Sequence, residues 1–318
     1  VKEFLPDIVI SFGGNIFAGI KEQFRKFAGE FEHWLVQEDG RVVDLYKSIT
    51  TIFECKPEYF FQYCVKMADK DQLNDREYYH GLKNYVDSVV YPDFPYSHVY
   101  AIKEVVEKIP SDSILHLSIN DSIRITNFFK LNPRIKTYAN IGTHGIDGCL
   151  SSFLGQAAAG NKQSYLVIGD LAFFYDMNAM RLRHIKNNVH VLLINNEGGS
   201  EFYFNHMWKD EASDLHTTAR HHTKAEGWVK SNNFIYLSAH DKESMQEALK
   251  EFMRSDLDKP VFLEVFTEMK TDSDVIYDFF DLSRPKDVQS ETIRRSKEFI
   301  KATIGQEKAQ KIAGLFKK

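Results

Sequence analysis

The sequence predicts an α/β fold built on a doubly wound, parallel, six-stranded sheet. From residue 96 to residue 266, short apolar runs alternate with segments of helical periodicity. Each run is almost continuously apolar, as expected of a parallel strand that helices cover on both faces. Because the chain has 318 residues, of which 43% are hydrophobic, it can bury a sizeable core and should hold about two domains.

The first 68 residues predict part of a further α/β layer. Residues 69–95 are rich in charged and turn residues, which indicates a connecting segment with one amphipathic helix. The elements expected before this segment are strands at 8–12, 32–36 and 49–53, a helix at 16–28 and a helix that begins at Pro57.

The main domain is expected at residues 96–272, and a polar, helical tail at 273–318. Ligands of doubly wound sheets bind at the carboxyl ends of the strands, so the site is expected there. The six strands are expected at 113–118, 137–139, 165–168, 189–194, 234–237 and 261–266. The helices are expected at 97–108, 121–130, 145–159, 175–186, 221–231 and 243–254.

Composition and charge argue against several classes of protein. The net charge is −5 and the sequence has no long block of Lys or Arg, which disfavours nucleic-acid binding. No apolar run approaches the ~20 residues that span a bilayer, and no signal peptide opens the sequence. Cys55, Cys64 and Cys149 have neither metal-binding spacing nor the number for a disulfide framework. We therefore expect a cytoplasmic protein that binds no membrane.

The strongest chemical pattern pairs Asp170 with Asn196, each at the end of an expected strand. One strand–helix–strand unit separates them, so a right-handed crossover would bring both side chains to one edge of the sheet. A carboxylate, an amide oxygen and a turn carbonyl are ligands that suit Mg²⁺. Gly169 would let a phosphate approach the backbone, and the N-terminus of the following helix would offer N–H groups to that phosphate. Each motif alone is equally typical of a helix cap or a strand end. No dinucleotide-binding or P-loop glycine pattern is present.

A second glycine-rich stretch, Asn140-Ile-Gly-Thr-His-Gly-Ile-Asp-Gly148, follows an expected strand and opens an apolar helix. Its glycines would let a ligand approach the backbone at a helix start. The same stretch is also compatible with an ordinary strand-to-helix turn.

Together these motifs resemble the thiamine diphosphate-dependent enzymes. Gly169-Asp170 followed by Asn195-Asn196 is similar to that family's motif for diphosphate and Mg²⁺. The fuller strings at 142–148, 169–178 and 195–199 resemble its menaquinone-biosynthesis branch, which joins decarboxylated 2-oxoglutarate to isochorismate. The resemblance covers roughly residues 1–270, and makes residues 1–68 similar to the C-terminal part of that family's central domain.

The resemblance implies thiamine diphosphate and Mg²⁺ as cofactors. The side chains of Asp170 and Asn196 and the carbonyl of Gly198 would bind the metal. Backbone N–H groups of Leu171 and Ala172 would bind the diphosphate. The implied cofactor-binding residues are Thr143, Gly145, Ile146, Gly169, Asp170, Leu171, Ala172, Asn196, Gly198 and Gly199.

We expect three catalytic residues, two of which the resemblance implies. Ile146 would lie under the bent cofactor and bring its two rings together, and Arg124 would hold a substrate carboxylate; the third, His144, is expected to line the pocket because it lies inside the glycine turn. Ile146 is equally compatible with a core position, and Arg124 with a surface charge.

The substrate pocket departs from the family pattern at Ile141, Glu201 and Phe202. Ile141 stands where the family has an arginine, and Glu201 stands where it has an isoleucine; the Asn-Ser pair before the matched arginine is Ile119-Asn120 here. Losing a bidentate arginine and adding a negative charge disfavours a dicarboxylate donor and a dicarboxylate acceptor.

The resemblance implies a transferase of the decarboxylase and carboligase type that acts on a small 2-oxoacid. In this family an N-terminal pyrimidine-binding domain supplies a glutamate that activates the cofactor across a dimer interface. The sequence begins at Val1, close to an expected strand, so we expect a C-terminal portion that is inactive alone and a full-length homodimer or homotetramer.

Two other functions stay open from the sequence. The chain is also compatible with a non-catalytic interaction or regulatory subunit, or with another α/β phosphate-ligand binder. The stretch at 204–224 would suit a lid over the site, and its histidines are expected to be solvated. These histidines are His206, His216, His221 and His222.

Overall fold

The computed structural model describes residues 4–13, 18–68, 76–142, 144–203 and 215–283. It is an α/β structure with two parallel sheets, one of three strands and one of six. The chain divides into two compact units, residues 1–273 and 274–318, and both sheets lie in the first. The expected domain limits at residues 68, 95 and 272 stay predictions.

The smaller sheet has the strand order β1-β2-β3, and all its strands are parallel. Two helices accompany these strands, and α2 begins at Pro57 as predicted. A third helix, α3, follows within the expected connecting segment. The elements are β1 (Ile8–Phe12), α1 (Ala18–Arg25), β2 (Glu32–Val36), β3 (Ile49–Phe53), α2 (Pro57–Met67) and α3 (Glu77–Asp87).

The larger sheet is the predicted parallel sheet of six strands, which confirms the fold class. Its strands are β4 (Ile114–Leu117), β5 (Lys136–Ala139), β6 (Ser164–Gly169), β7 (Val189–Asn195), β8 (Ile235–Ala239) and β9 (Val261–Phe266). Its helices are α4 (His98–Val106), α5 (Asp121–Thr126), α6 (Cys149–Ala159), α7 (Asp170–Asp176), α8 (Ser200–Tyr203), α9 (Glu226–Ser231), α10 (Lys242–Phe252) and α11 (Met269–Ser283).

The strand order β5-β4-β6-β7-β9-β8 creates a switch point beside β4. The chain leaves β4 for β5 on one side and then crosses to β6 on the other side. Loops that follow β4 and β6 therefore diverge to opposite faces of the sheet. The crevice between them is where open α/β sheets bind ligands.

The core lies on both faces of this sheet. Every residue of β7 is buried, and β6 is buried except at its last residue, Gly169. On one face α6 and α7 pack on the sheet through Phe153 and Phe173, and the Phe173 ring lies 5.1 Å from that of Phe262 on β9. The continuous apolar runs in the sequence reflect this two-sided burial.

Several predicted helix limits are wrong. The helix expected at 175–186 begins instead at Asp170, directly after β6, and gives way to a 3₁₀ turn at Met177–Arg181. The helix expected at 145–159 begins at Cys149, because Gly148 has a φ of 73° and ends the preceding turn. The helices expected at 121–130 and 221–231 are shorter, and correspond to α5 and α9. In the tail, α11 is helical to residue 283, and residues 284–318 lie outside the described residues.

None of the helices in the described ranges is long and apolar enough to cross a membrane.

Candidate functional site

A cavity that is partly open to solvent lies at the carboxyl ends of β4, β6 and β7. The loops that follow β4, β6 and β7 form most of its wall, the loop after β5 adds Ile146, and α4 contributes two side chains. The cavity therefore lies at the switch point of the sheet. Its lining residues are His98, Ile102, Ser118, Ile119, Asn120, Asp121, Ser122, Ile146, Gly169, Asp170, Leu171, Ala172, Ile194, Asn196, Gly198, Gly199, Ser200, Glu201 and Phe202.

Asp170 joins the loop after β6 to the loop after β7. It is the first residue of α7, and its side chain is almost fully buried at the cavity wall. Its Oδ1 accepts a hydrogen bond from Leu171 N at 2.6 Å, and its Oδ2 accepts one from Gly198 N at 2.9 Å. The crossover through α7 thus brings the two predicted motifs together, as the spacing in the sequence indicates.

The turn at 197–199 has a backbone that requires glycine. Gly198 has a φ of 151°, and a Cβ atom there would lie 2.7 Å from Thr218 O and 2.8 Å from Met269 Cε. Gly199 N donates to the same Thr218 carbonyl at 2.7 Å. The hydrogen bond to Thr218 fixes one side of the turn, and the hydrogen bond from Gly198 N to Asp170 fixes the other.

Asn196 is oriented by a second buried carboxylate. Its Nδ2 donates to Asp272 Oδ2 at 2.9 Å, and Thr267 Oγ1 donates to the same oxygen at 2.6 Å. His98 N donates to Asp272 Oδ1 at 2.7 Å. Burial raises the pKa of Asp272, although His98 and the three hydrogen bonds oppose that shift. Since the Asn196 amide nitrogen is committed to Asp272, the amide oxygen is the atom left for a cation.

The donor set fits a hard cation. Asp170, Asn196 and Gly198 offer one carboxylate, one amide oxygen and one backbone carbonyl, all from residues that line the same cavity. Within the described ranges no cluster of three His, Cys, Asp or Glu side chains could hold a metal ion. All-oxygen sets with few carboxylates suit Mg²⁺ when phosphate oxygens and water complete the shell.

His221 contacts the same carboxylate, which the sequence analysis did not anticipate. Its Nε2 lies 3.4 Å from Asp170 Oδ2, which is within ion-pair distance, but the two atoms do not form a hydrogen bond. The polar contact with Asp170, and the negative charges of Asp170, Glu197 and Glu264, raise the pKa of His221 against the effect of burial. The expectation of a solvated side chain is therefore wrong for His221.

The other histidines of that stretch differ from His221. His222 is 78% exposed, as expected of a solvated histidine, and its Nδ1 lies 3.0 Å from a carboxylate oxygen of Glu197. His206 lies outside the described residues.

Glu201, a residue of the cavity wall, is paired with Arg124. Arg124 Nη2 lies 2.6 Å from Glu201 Oε1, and Arg124 Nη1 lies 3.6 Å from Asp121 Oδ1. Ser200 Oγ donates to Asp121 Oδ2 at 2.9 Å. Burial raises the pKa of Glu201, Arg124 opposes that shift, and Asp121 adds to it. The predicted carboxylate-binding arginine is thus bound to a carboxylate of its own chain.

The remaining predicted residues fall into two groups. Ile146 lines the cavity and also packs against the core, and its place under a cofactor stays a prediction. Of the predicted residues that the structure describes, Arg124, Ile141, His144 and Gly145 lie outside the cavity wall. His144 is exposed and has a φ of 57°. Thr143 lies outside the described residues.

Sequence reasoning missed His98, Asp121 and Asp272. His98 N and Asp272 Oδ1 are hydrogen-bonded although the two residues are 174 positions apart. No local motif could have paired them. Asp121 lies three residues before the matched Arg124, and this short spacing could have indicated that Asp121 belongs to the site.

The fold and the site define a doubly wound α/β protein with a cavity at the switch point of its sheet, where Asp170, Asn196 and Gly198 offer oxygen ligands. Comparison with known proteins narrows this class. No protein-family model matches the chain. The 2-succinyl-5-enolpyruvyl-6-hydroxy-3-cyclohexene-1-carboxylate synthase of Bacteroides fragilis is 34% identical over 282 residues, which cover 88% of this chain and 50% of that protein.

Synthases of the same name from two other bacteria are similar to this chain to the same extent. The Phocaeicola vulgatus protein is 34% identical over 284 residues, covering 88% of this chain and 50% of the relative. The Bacteroides thetaiotaomicron protein is 33% identical over 286 residues, covering 89% and 51%. The chain is homologous to this synthase family, which confirms the resemblance seen in the motifs. It spans about half the length of the curated relatives it matches.

Proposed function

We propose that the chain forms the diphosphate- and Mg²⁺-binding part of a thiamine diphosphate-dependent decarboxylase and carboligase. The proposed enzyme resembles the menaquinone-pathway synthase but has an altered substrate pocket. The supporting observation is the bond from Gly198 N to Asp170 Oδ2, at 2.9 Å, in a chain homologous to those synthases. It unites the two halves of the predicted cofactor motif at one cavity wall.

In this proposal each site residue has a defined task. Asp170 Oδ2, the Asn196 amide oxygen and the Gly198 carbonyl hold the cation. The first turn of α7 faces the diphosphate, and there Ala172 N is the donor not already bonded to Asp170, since Leu171 N donates to Asp170 Oδ1. Ile146 supports the cofactor rings and keeps water from one wall of the cavity.

When bound, thiamine diphosphate supplies a carbon nucleophile that adds to the carbonyl of a 2-oxoacid and allows CO₂ to leave. Because the chain spans about half of its relatives' length, the remaining machinery is also part of the proposal. It comprises a pyrimidine-binding domain of the same protein, its activating glutamate and a dimeric or tetrameric assembly. Without that domain we expect the chain to be inactive.

Calorimetric titration of the protein that contains this chain with thiamine diphosphate and Mg²⁺ tests the proposal. We expect Mg²⁺-dependent binding that weakens by about 10-fold or more in Asp170→Asn, because the substitution removes the only full negative charge among the proposed ligands. Asp258→Asn, at an exposed carboxylate, is the matched control and should bind as the wild type does. Metal-independent binding, or equal binding by Asp170→Asn, would contradict the proposal.

A further inference from the structure

Glu201 lines the cavity and is paired with Arg124, which does not itself line it. The shorter contact, 2.6 Å from Arg124 Nη2 to Glu201 Oε1, is a charge-assisted hydrogen bond. Both side chains are largely buried, with exposed fractions of 27% for Arg124 and 20% for Glu201. Such a pair is screened little by solvent, so its charges act mainly on each other and on whatever enters the cavity.

A second carboxylate makes this wall negative. Asp121 Oδ1 lies 3.6 Å from Arg124 Nη1, so one guanidinium faces two carboxylates. His98 Nε2 is 3.8 Å from Asp121 Oδ2, and Ser200 Oγ donates to that same oxygen. A substrate carboxylate would have to displace Glu201 from Arg124 and then remain beside it. Like charges held this close together disfavour the binding of such a partner.

The wall also presents hydrogen-bond acceptors that lack a donor. Glu201 Oε2 and Asp121 Oδ1 are buried and accept no hydrogen bond from the described residues. Both residues line the cavity. Buried acceptors without a donor are costly, and a ligand that brings donors would relieve that cost.

We propose that Glu201 determines substrate specificity by taking the position of a substrate carboxylate on Arg124. The cavity then accepts a substrate whose group at this wall is uncharged and donates hydrogen bonds, such as a carboxamide or a hydroxyl. This inference rests on the proposed function, because it names the substrate class of the same site. It makes Glu201 a specificity residue and Arg124 its fixed counter-ion.

Two probes that differ at one end test the inference: 2-oxoglutarate, which ends in a carboxylate, and 2-oxoglutaramate, which ends in a carboxamide. Binding is measured by ligand-detected NMR on the protein that contains this chain, with thiamine diphosphate and Mg²⁺ present. The wild type should prefer the carboxamide by about 10-fold or more, since its donors pair with Glu201 and Asp121.

Glu201→Gln should reverse that preference, because it releases Arg124 for the distal carboxylate of 2-oxoglutarate. The affinity for 2-oxoglutarate should rise about 10-fold, and the gain should vanish in the double variant Glu201→Gln with Arg124→Gln. Glu243→Gln, at an exposed glutamate on α10, is the matched control and should leave both affinities unchanged.

The inference is overturned if the wild type prefers 2-oxoglutarate, or if the gain in Glu201→Gln survives loss of Arg124. Cofactor titrations on the same samples report separately on the proposed function. A sample that binds thiamine diphosphate with Mg²⁺ yet prefers the dicarboxylate overturns only the specificity inference. A sample that binds no cofactor contradicts the proposed function, whichever probe it prefers.

Discussion

At the scale of single residues, the site depends on one glycine and one aspartate that hold two loops together. Gly198 has the left-handed backbone that directs its N–H to Asp170, and its neighbours leave no room for a side chain. Asp170 in turn orients the loop and offers its charge to the cavity. A change at either residue should therefore affect the site, but only the glycine change should strain the backbone.

We expect Gly198→Ala to lower the free energy of unfolding by about 3 kcal/mol, because a Cβ atom would both strain the backbone and overlap Thr218 O. Urea denaturation followed by circular dichroism measures the effect. Gly155→Ala is the control: nothing lies within 4 Å of its Cβ position inside α6, so this change should stabilise slightly. Equal stability of Gly198→Ala and the wild type would show that the turn is not strained.

At the scale of elements, β7 is an inner strand of the six-stranded sheet and contains a buried titratable group. His190 is fully buried; its Nδ1 lies 2.7 Å from Phe252 O and its Nε2 lies 2.7 Å from Gln163 Oε1. Its ring stacks on Tyr165 of the neighbouring strand β6 at 4.4 Å. Burial lowers the pKa of His190 from 6.5 to about 4, so the folded state keeps the ring neutral.

The lowered pKa of His190 predicts a loss of stability in acid. Between pH 6.5 and pH 4 the unfolded chain binds a proton that the folded chain refuses, so stability falls as the pH falls. From pH 7 to pH 5 this group should cost about 2 kcal/mol in the free energy of unfolding. Urea denaturation at both pH values should show that the loss is smaller by this amount in His190→Gln.

The exposed His222 provides the control for this experiment. With a side chain that is 78% exposed, His222→Gln should keep the pH dependence of the wild type. If His190→Gln loses as much stability between the two pH values as the wild type does, His190 is not the group responsible.

At the scale of the whole molecule, burial is concentrated in the middle of the six-stranded sheet. Strands β6, β7 and β9 are almost completely buried, whereas all four residues of the edge strand β5 are exposed. In the three-stranded sheet, β3 alternates between half-buried and exposed residues. The cavity lies against the most buried strands, so its walls rest on the part of the fold that opens least.

This distribution predicts the order of amide hydrogen exchange. Amides of β6, β7 and β9 should exchange most slowly, at rates that approach global unfolding. Those of β5 and of the three-stranded sheet should exchange faster by about 10-fold or more, because local opening exposes them. Exchange followed by mass spectrometry measures the difference, and uniform rates across both sheets would contradict it.

The strands could be predicted from the sequence more precisely than the helices. The apolar runs of β6, β7 and β9 mark strands because burial on both faces keeps these strands mostly apolar, with a few buried exceptions such as His190 and Glu264. Burial also makes α7 difficult to predict from the sequence. Its run Leu171-Ala-Phe-Phe174 has no polar face and therefore shows no helical periodicity. The onset of that helix at Asp170 could not be read from the pattern.

The sequence by itself determined the parallel sheet and the position of Asp170 and Asn196 at strand ends. These features depend on local patterns and on the handedness of a crossover. Only the tertiary structure decided that Asp272 orients Asn196, that His221 contacts Asp170 and that Glu201 binds Arg124. These contacts join residues that are 51 to 77 positions apart along the chain. Their geometry exists only once the crossovers have folded onto the sheet, so no spacing in the sequence could specify it.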